Sequence, residues 1–334
     1  DLLTAPSAPA AAGAAGGESA ADAGEGAAPA GATEAGWEDG VPPVSTDYAQ
    51  LEALLASLPG EDVLCVLSTT SCFAPREPDD IHRVGQLARR HSLFHVVNNA
   101  YGLQCFSLIA AVTRALSDSL ADFVVQSTDK NFLVPVGGAV VLGRSQQLLD
   151  ELNEAYPGRA SASPAIDLFI ALMSLGRREL LAQRQLRKAN FVWLRGQLRA
   201  FCARTGEALI ANRANRISLA VTLRRFGPRS KDFGAWLFRK GVSGARVVTA
   251  SAPRAVEGVQ FENFEGHIEG EYEGFPYIAF AVAVGASRAE TERFFAVFTE
   301  TYAEFEQALT PPPGPGSPRV PLDHPCAASD LRDI

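Results

Sequence analysis

No stretch of this 334-residue sequence is apolar for the roughly 20 residues that a membrane-spanning helix needs, so no helical span is expected. The fingerprints G-x-G-x-x-G and G-x-x-x-x-G-K-[ST] are both missing, which disfavours a Rossmann dehydrogenase and a P-loop enzyme. Positive charge is in short supply: 30 Lys and Arg against 38 Asp and Glu leave a formal charge of −8. Phosphate affinity rests on Lys and Arg, so a general nucleic-acid binder is disfavoured, while a local basic patch for one RNA remains open. Cysteine is scarce, and Cys65, Cys72, Cys105, Cys202 and Cys326 are odd in number, scattered and without paired metal spacing. That pattern fits the reduced thiols of a cytoplasmic protein better than a disulfide framework. His82, His91, His95, His267 and His324 show no metal spacing either, and His95, inside a strand, reads as packed. A start at Asp1 in place of Met reads as a fragment or a processed product, and no signal peptide is visible.

From Thr4 to about Trp37 the chain is almost entirely Ala, Gly, Pro, Ser, Thr, Asp and Glu. Such a segment buries too little apolar surface to offset its ordering entropy. Residues 1–43 are therefore expected to be a disordered Ala/Gly/Pro-rich insertion or tail. Prolines between Pro311 and Pro318 end the last helix, and residues 310–334 are expected to be a disordered tail.

Between these ends the chain is organised around Phe123-Val-Val-Gln-Ser-Thr-Asp-Lys-Asn-Phe-Leu-Val-Pro-Val-Gly-Gly138 and the apolar run Ala139–Gly143. The pattern predicts strand, turn, strand, with Lys130 at the mouth. A lysine held between buried strands loses hydration, which favours the neutral, nucleophilic amine of a Schiff-base lysine. Taken alone, the segment fits a loop lysine whose ammonium reaches water better. Upstream, Phe94-His-Val-Val-Asn-Asn-Ala-Tyr-Gly102 runs an apolar strand into polar residues at its carboxyl end, where open α/β sheets bind ligands. A pyridoxal phosphate site needs a polar group facing the pyridine nitrogen, a small residue under the ring and a lysine for the aldehyde. Asn98, Ala100 and Lys130 supply them.

Five ordered motifs carry a resemblance: Ser68-Thr-Thr-Ser-Cys-Phe-Ala-Pro-Arg76, Val97–Gly102, Gln126–Phe132 with Pro135–Gly138, Tyr156-Pro-Gly-Arg-Ala-Ser-Ala-Ser-Pro164, and Ser243-Gly-Ala-Arg-Val-Val248. Together they closely resemble the O-phosphoseryl-tRNA(Sec) selenium transferases, over roughly Asp47 to Leu309, and match the carboxyl-terminal part of that family's catalytic chain. The resemblance implies an α/β fold of the fold-type-I pyridoxal-phosphate transferases, with the amino-terminal part of the large domain missing. Residues 44–200 are the expected large-domain portion and 201–309 the small carboxyl-terminal domain.

It also implies conversion of O-phosphoseryl-tRNA(Sec) to selenocysteinyl-tRNA(Sec) with selenophosphate, in the cytoplasm, by a homo-oligomer, a tetramer in the family. Lys130 would hold pyridoxal 5′-phosphate and act as base, Asn98 and Ala100 would meet its ring, and Ser68, Thr69, Ser71 and Phe73 would line its pocket. Arg159 would bind the substrate's phosphate and Arg246 a base at the tRNA acceptor end. The readings kept beside this one are a pyridoxal-phosphate β-lyase of a free amino acid and a catalytically incomplete tRNA-binding fragment. The family's upstream arginines and cofactor-phosphate loop have no counterpart before Asp47, and acidic Thr299–Glu306 replaces basic tRNA contacts.

Hydrophobic periodicity predicts the remaining elements. Helices are expected over Asp47–Leu58, Pro78–His91, Gln104–Leu120, Ser145–Tyr156, Ser163–Cys202 with a break at Gly176, Lys231–Lys240 and Ser287–Leu309. Further strands are expected over Val63–Leu67, Ile217–Leu223, Ala245–Thr249 and Tyr277–Ala283. Alternation of strand and helix up to Gly143 predicts a parallel sheet covered on both sides.

Overall fold

The computed structural model describes residues 40–41, 44–71, 73–156, 158, 161–210, 213–249, 253–256, 258–261 and 276–309. Residues 1–39 and 310–334, Cys72 and Arg159 lie outside them, and with them the expected disorder of both ends and the phosphate contact of Arg159. Strand β1 (Gly40–Val41) falls inside the segment expected to be disordered and is paired, Gly40 with Leu209 and Val41 with Ile210.

Helix α1 (Tyr48–Ser57) begins where Asp47 accepts hydrogen bonds from the amides of Ala49 and Gln50. Those amides have no partner inside the helix, so the cap fixes its start. Next come β2 (Cys65–Thr69), α2 (Ile81–Arg90), β3 (Phe94–Asn98), α3 (Phe106–Ser117) and β4 (Phe123–Ser127), each helix returning the chain so that the next strand lies parallel. Helix α2 is capped by Asp80 on the Arg83 amide and carries Arg89 and Arg90 in its last turn, where they oppose the helix dipole.

At Lys130 the structure departs from the expected strand, turn, strand. A five-residue helix α4 (Thr128–Phe132) follows β4 and stops at Leu133, whose φ of 58° and ψ of 42° are left-handed. Both the amide and the hydroxyl of Thr128 donate to the Gly138 carbonyl, which closes the loop onto β5 (Ala139–Gly143). Strand β5 runs antiparallel to β4, giving the order β2-β3-β4-β5.

The expectation of a sheet covered on both sides is corrected as well. One pleat, with Val66, Ser68, His95, Val97, Val124 and Gln126, is buried, with α2 packed on β2 and β3. The other carries Leu67, Phe94 and Val141, which are 63%, 42% and 36% exposed, so the described residues leave it bare. Apolar side chains on both pleats read as a doubly covered sheet, but among the described residues the second pleat is met only at its β5 edge, where Leu149 of the following helix packs against Gly143.

Helix α5 (Gln146–Ala155) starts with the Ser145 hydroxyl accepting from the Leu148 amide, the expected cap. In α6 (Ser163–Thr205) Gly176 leaves helical geometry at φ 64°, ψ 172°, as its position in the sequence suggested. The second sheet is built from β6 (Leu209–Ile210), β7 (Ser218–Thr222), β8 (Ala245–Val248) and β11 (Tyr277–Ala281) together with β1, in the order β1-β6-β7-β11-β8. Between β7 and β8 lies α7 (Ser230–Arg239), between β8 and β11 the hairpin of β9 (Arg254–Val256) and β10 (Val259–Phe261), and last α8 (Arg288–Leu309). The core here is aromatic: Phe226, Phe233, Phe298, Tyr302 and Phe305 pack with ring centroids 4.6–6.5 Å apart, largely edge to face. Phe191, Leu194 and Leu198 of α6 belong to this core, so α6 leads directly into it.

Candidate active site around Lys130

Three parallel strands end side by side. Thr69 lies opposite Asn98 and Asn98 opposite Val125, two residues before Ser127. Residues two apart share a face, so Thr69, Asn98 and Ser127 stand together on the bare pleat, at the carboxyl end of the sheet. Helix α4 then brings Lys130 back over Ser127, three residues earlier. Its Nζ lies 3.1 Å from Ser127 Oγ, 3.4 Å from Asp129 Oδ2 and 5.5 Å from the centre of the Tyr101 ring. Ser127 in turn donates to Asp129 Oδ1. Burial works to raise the Asp129 carboxyl, but the Ser127 hydrogen bond and the Lys130 charge outweigh it and hold the group below its ordinary range. The Lys130 side chain keeps 33% of its surface exposed, because the pleat beneath it is bare. The desolvation expected of a lysine between buried strands is thus not supplied by the described residues.

Asn98 and Ala100 stand together at the end of β3. The Ala100 amide donates to Asn98 Oδ1 at 3.1 Å. A backbone amide can only donate, so this bond fixes the side-chain amide and leaves its NH2 as the group for a ring nitrogen. Ser71 Oγ, on a residue 2% exposed, has no partner among the described residues and is a buried hydroxyl open to a ligand. These groups fit pyridoxal phosphate: an amine for its aldehyde, an amide for its ring and a small residue between them.

Ser68 does not stand with them. Its hydroxyl lies 2.7 Å from His95 Nε2 on the buried pleat. His95 Nδ1 lies 2.6 Å from the Leu120 carbonyl, which can only accept, so Nδ1 carries the proton and Nε2 accepts from Ser68. Burial pushes the His95 imidazole below its usual pKa, against the opposing Leu120 bond and Asp122 charge. Phe73 also turns away from the site, packing against the second sheet's core of Ile210, Ala220, Val248, Tyr277 and Ala279. Thr69 stays, with its amide donating to Asp79 Oδ2 at 2.7 Å. Arg76, which also pairs with Asp79, ties the same turn. Arg246 is exposed on β8, the edge strand of the second sheet.

Ser127, Asp129, Tyr101, Gln104 and Asn131 contribute to the site and were not singled out from the sequence. Gln104 Nε2 donates to the Lys130 carbonyl, and Asn131 Nδ2 to the carbonyls of Ala100 and Ser127. The spacing of Ser127 and Lys130, three apart, was the one available signal, and it becomes one only if the segment is helical.

Comparison with known proteins adds the following. A family model described as O-phosphoseryl-tRNA(Sec) selenium transferase matches residues 39–303. A Caenorhabditis briggsae protein of that name is 40% identical over 252 residues, covering 75% of this chain and 52% of the relative. A Dictyostelium discoideum protein of the same name is 34% identical over 275 residues, covering 75% and 56%. This chain thus spans about half the length of the curated relatives it matches. An archaeal O-phosphoseryl-tRNA(Sec) selenium transferase superposes with a TM-score of 0.62 at 22% identity, over 78% of this chain and 63% of that one. An Oryza sativa TDC crystallised with PLP gives 0.59 at 13% identity, over 78% and 53%. Both likenesses establish the fold-type-I α/β fold.

Proposed function

Because this chain belongs to the O-phosphoseryl-tRNA(Sec) selenium transferase family, we propose that it carries the lysine-bearing part of a pyridoxal-phosphate site that converts O-phosphoseryl-tRNA(Sec) to selenocysteinyl-tRNA(Sec). The observation that carries this reading is Lys130 against Ser127 and the Tyr101 ring at the carboxyl end of β4, with Asn98 and Ala100 at the end of the neighbouring strand β3. Pyridoxal phosphate, when bound, supplies an aldehyde for an amine and a ring that takes up an electron pair from the carbon next to it. Lys130 would hold that aldehyde, and its amine, when free, would take the α-proton. Loss of the α-proton and of phosphate from the β-carbon leaves a double bond; the selenium of selenophosphate would add to the β-carbon as a proton returns to the α-carbon, and water would cleave the phosphorus–selenium bond, releasing a second phosphate. Asn98 would meet the pyridine nitrogen as a neutral donor, through the NH2 that its Ala100 bond leaves over.

Arg159 grips the substrate's phosphate and Arg246 a base of the tRNA acceptor end in this reading. The bare pleat of the first sheet, with Leu67 and Phe94 exposed, supports a site that a further layer completes. The stripe Ile166, Phe169, Ile170 and Met173, each more than half exposed at helical spacing on α6, supports a second copy of the chain as partner. Among the described residues no helix is long and apolar enough to cross a membrane, and the reading places the protein in the cytoplasm.

The test is an absorbance spectrum with pyridoxal phosphate, borohydride trapping with peptide mapping, and then turnover of O-phosphoseryl-tRNA(Sec) with selenophosphate. The expected result is an adduct on Lys130, its loss in Lys130→Ala, and turnover that requires the tRNA. No adduct on Lys130, or equal turnover of free O-phosphoserine, defeats the reading.

A further inference from the structure

Two side-chain amides join the Asn98 loop to the Lys130 turn. Asn131 follows Lys130 directly, and its Nδ2 donates to the carbonyl of Ala100 at 2.7 Å and to that of Ser127 at 2.6 Å. Gln104 stands at the far end of the Asn98 loop, and its Nε2 donates to the Lys130 carbonyl at 2.6 Å. The Gln104 backbone carbonyl is itself met by Arg187 of α6, at 3.4 Å. The two amides therefore cross over: each sits on one loop and bonds the backbone of the other.

Both residues are buried, Asn131 at 1% and Gln104 at 7% exposure. Each uses its nitrogen alone, because Asn131 Oδ1 and Gln104 Oε1 are buried and bond nothing among the described residues. A buried acceptor left unpaired destabilises a fold, so stability alone does not favour two of them on neighbouring turns. Fold-wide rules are broken in this way where a geometry is held for a task. The geometry held here is the placement of Lys130 against Ser127 and the Tyr101 ring, and such placements need support from locked neighbours.

We propose that Gln104 and Asn131 are the positioning residues of the Lys130 site, holding the amine at a set distance from Ser127 and the Tyr101 ring. The proposal rests on the reading of Lys130 as the residue that holds pyridoxal phosphate. Asn131→Asp separates positioning from mere packing, because the two side chains have nearly the same shape. An ionised carboxyl there can only accept and faces two carbonyls, whereas a protonated one regains a donor.

In the full chain with pyridoxal phosphate at about pH 8, the rate of borohydride-trapped adduct formation on Lys130 is expected to fall about tenfold in Asn131→Asp and in Asn131→Ala. As the pH is lowered, the rate relative to wild type recovers in Asn131→Asp only. Gln104→Glu behaves as Asn131→Asp does. A structural role alone would make the adduct rate follow the melting temperature at every pH, with wild-type rates wherever the variant is fully folded, and that result overturns the proposal. A wild-type chain that forms no adduct defeats the reading of function instead. Positioning is then decided by amide hydrogen exchange, which must quicken in residues 100–104 and 129–133 and stay unchanged in β7 and β11. Unchanged exchange in the two turns overturns it.

Discussion

Glu207 is the polar node of the second core, and replacing it with glutamine tests how that core is held. The side chain follows the Gly206 turn that ends α6 and is 6% exposed. Its Oε2 accepts from the Thr222 hydroxyl at 2.6 Å and the Arg224 amide at 2.9 Å, and its Oε1 from the Arg225 amide at 3.0 Å and the Tyr302 hydroxyl at 3.0 Å. All four partners donate, so a carboxylate satisfies them and an amide cannot. Whichever way the replacement glutamine turns, its NH2 faces one backbone N–H, which can only donate, and one hydroxyl, which can turn and accept, so one charge-assisted bond is lost outright. At about 1.5–3 kcal/mol for such a bond, the expected loss is about 1.5–3 kcal/mol. Tyr302 is 1% exposed, and burial first, then the Glu207 charge, hold its phenol above the ordinary range. Tyr302→Phe removes one bond and is expected to cost about 1–2 kcal/mol. Urea unfolding followed by the fluorescence of Trp193 and Trp236, which pack on this core, measures both. Because the two residues share a bond, the double variant should fall short of the sum by about 1 kcal/mol or more. A loss below about 1 kcal/mol for Glu207→Gln, or strict additivity, refutes the assignment of this carboxylate as the node.

Stability should also depend on pH through His95. Its folded pKa lies below the free value of about 6.5, so below that pH the unfolded chain binds a proton that the folded chain does not. Stability is then level above about pH 6.5 and falls by up to about 1.4 kcal/mol per unit as the pH drops toward the lowered folded value; His95→Asn should remove that part of the slope, and urea midpoints across the range check it. Ser68→Ala, which breaks only the His95 bond, should lower stability by about 1 kcal/mol and leave the yield of Lys130 adduct unchanged; a lost adduct would return Ser68 to the cofactor site. Gly85→Ala raises helix propensity by about 1 kcal/mol yet should destabilise, since the new methyl group lands on the Leu120 carbonyl and Cβ and forces α2 off the sheet; a higher melting temperature would contradict that packing.

The parts of this fold that were legible in the sequence are those with a period to read. Helices α1, α2, α3 and α8 repeat apolar residues over ten residues or more, and Asp47 and Ser145 mark starts by a chemistry visible in one letter. Strand β6, two residues long, and α4, a single turn, have no room for a period, and α4 lies next to Pro135, Gly137 and Gly138, which read as loop. The site follows the same division. Lys130, Asn98 and Ala100 could be found because they sit at strand ends whatever the exact limits of the strands. Ser68 and Thr69 could not be told apart, because a strand read as ending at Leu67 leaves both in a loop, where neither has a face. The strand in fact runs to Thr69, and its pleat sends Ser68 to His95 and Thr69 to the side of Asn98. The same parity explains the bare pleat. Leu67, Phe94 and Val141 are apolar because that face is made to be covered, and a sequence records what a face is made for without recording what covers it. The two buried amides, Gln104 and Asn131, lie at the far limit of legibility: their neighbours in the chain are ordinary, and only the crossing of two loops in space gives them a role.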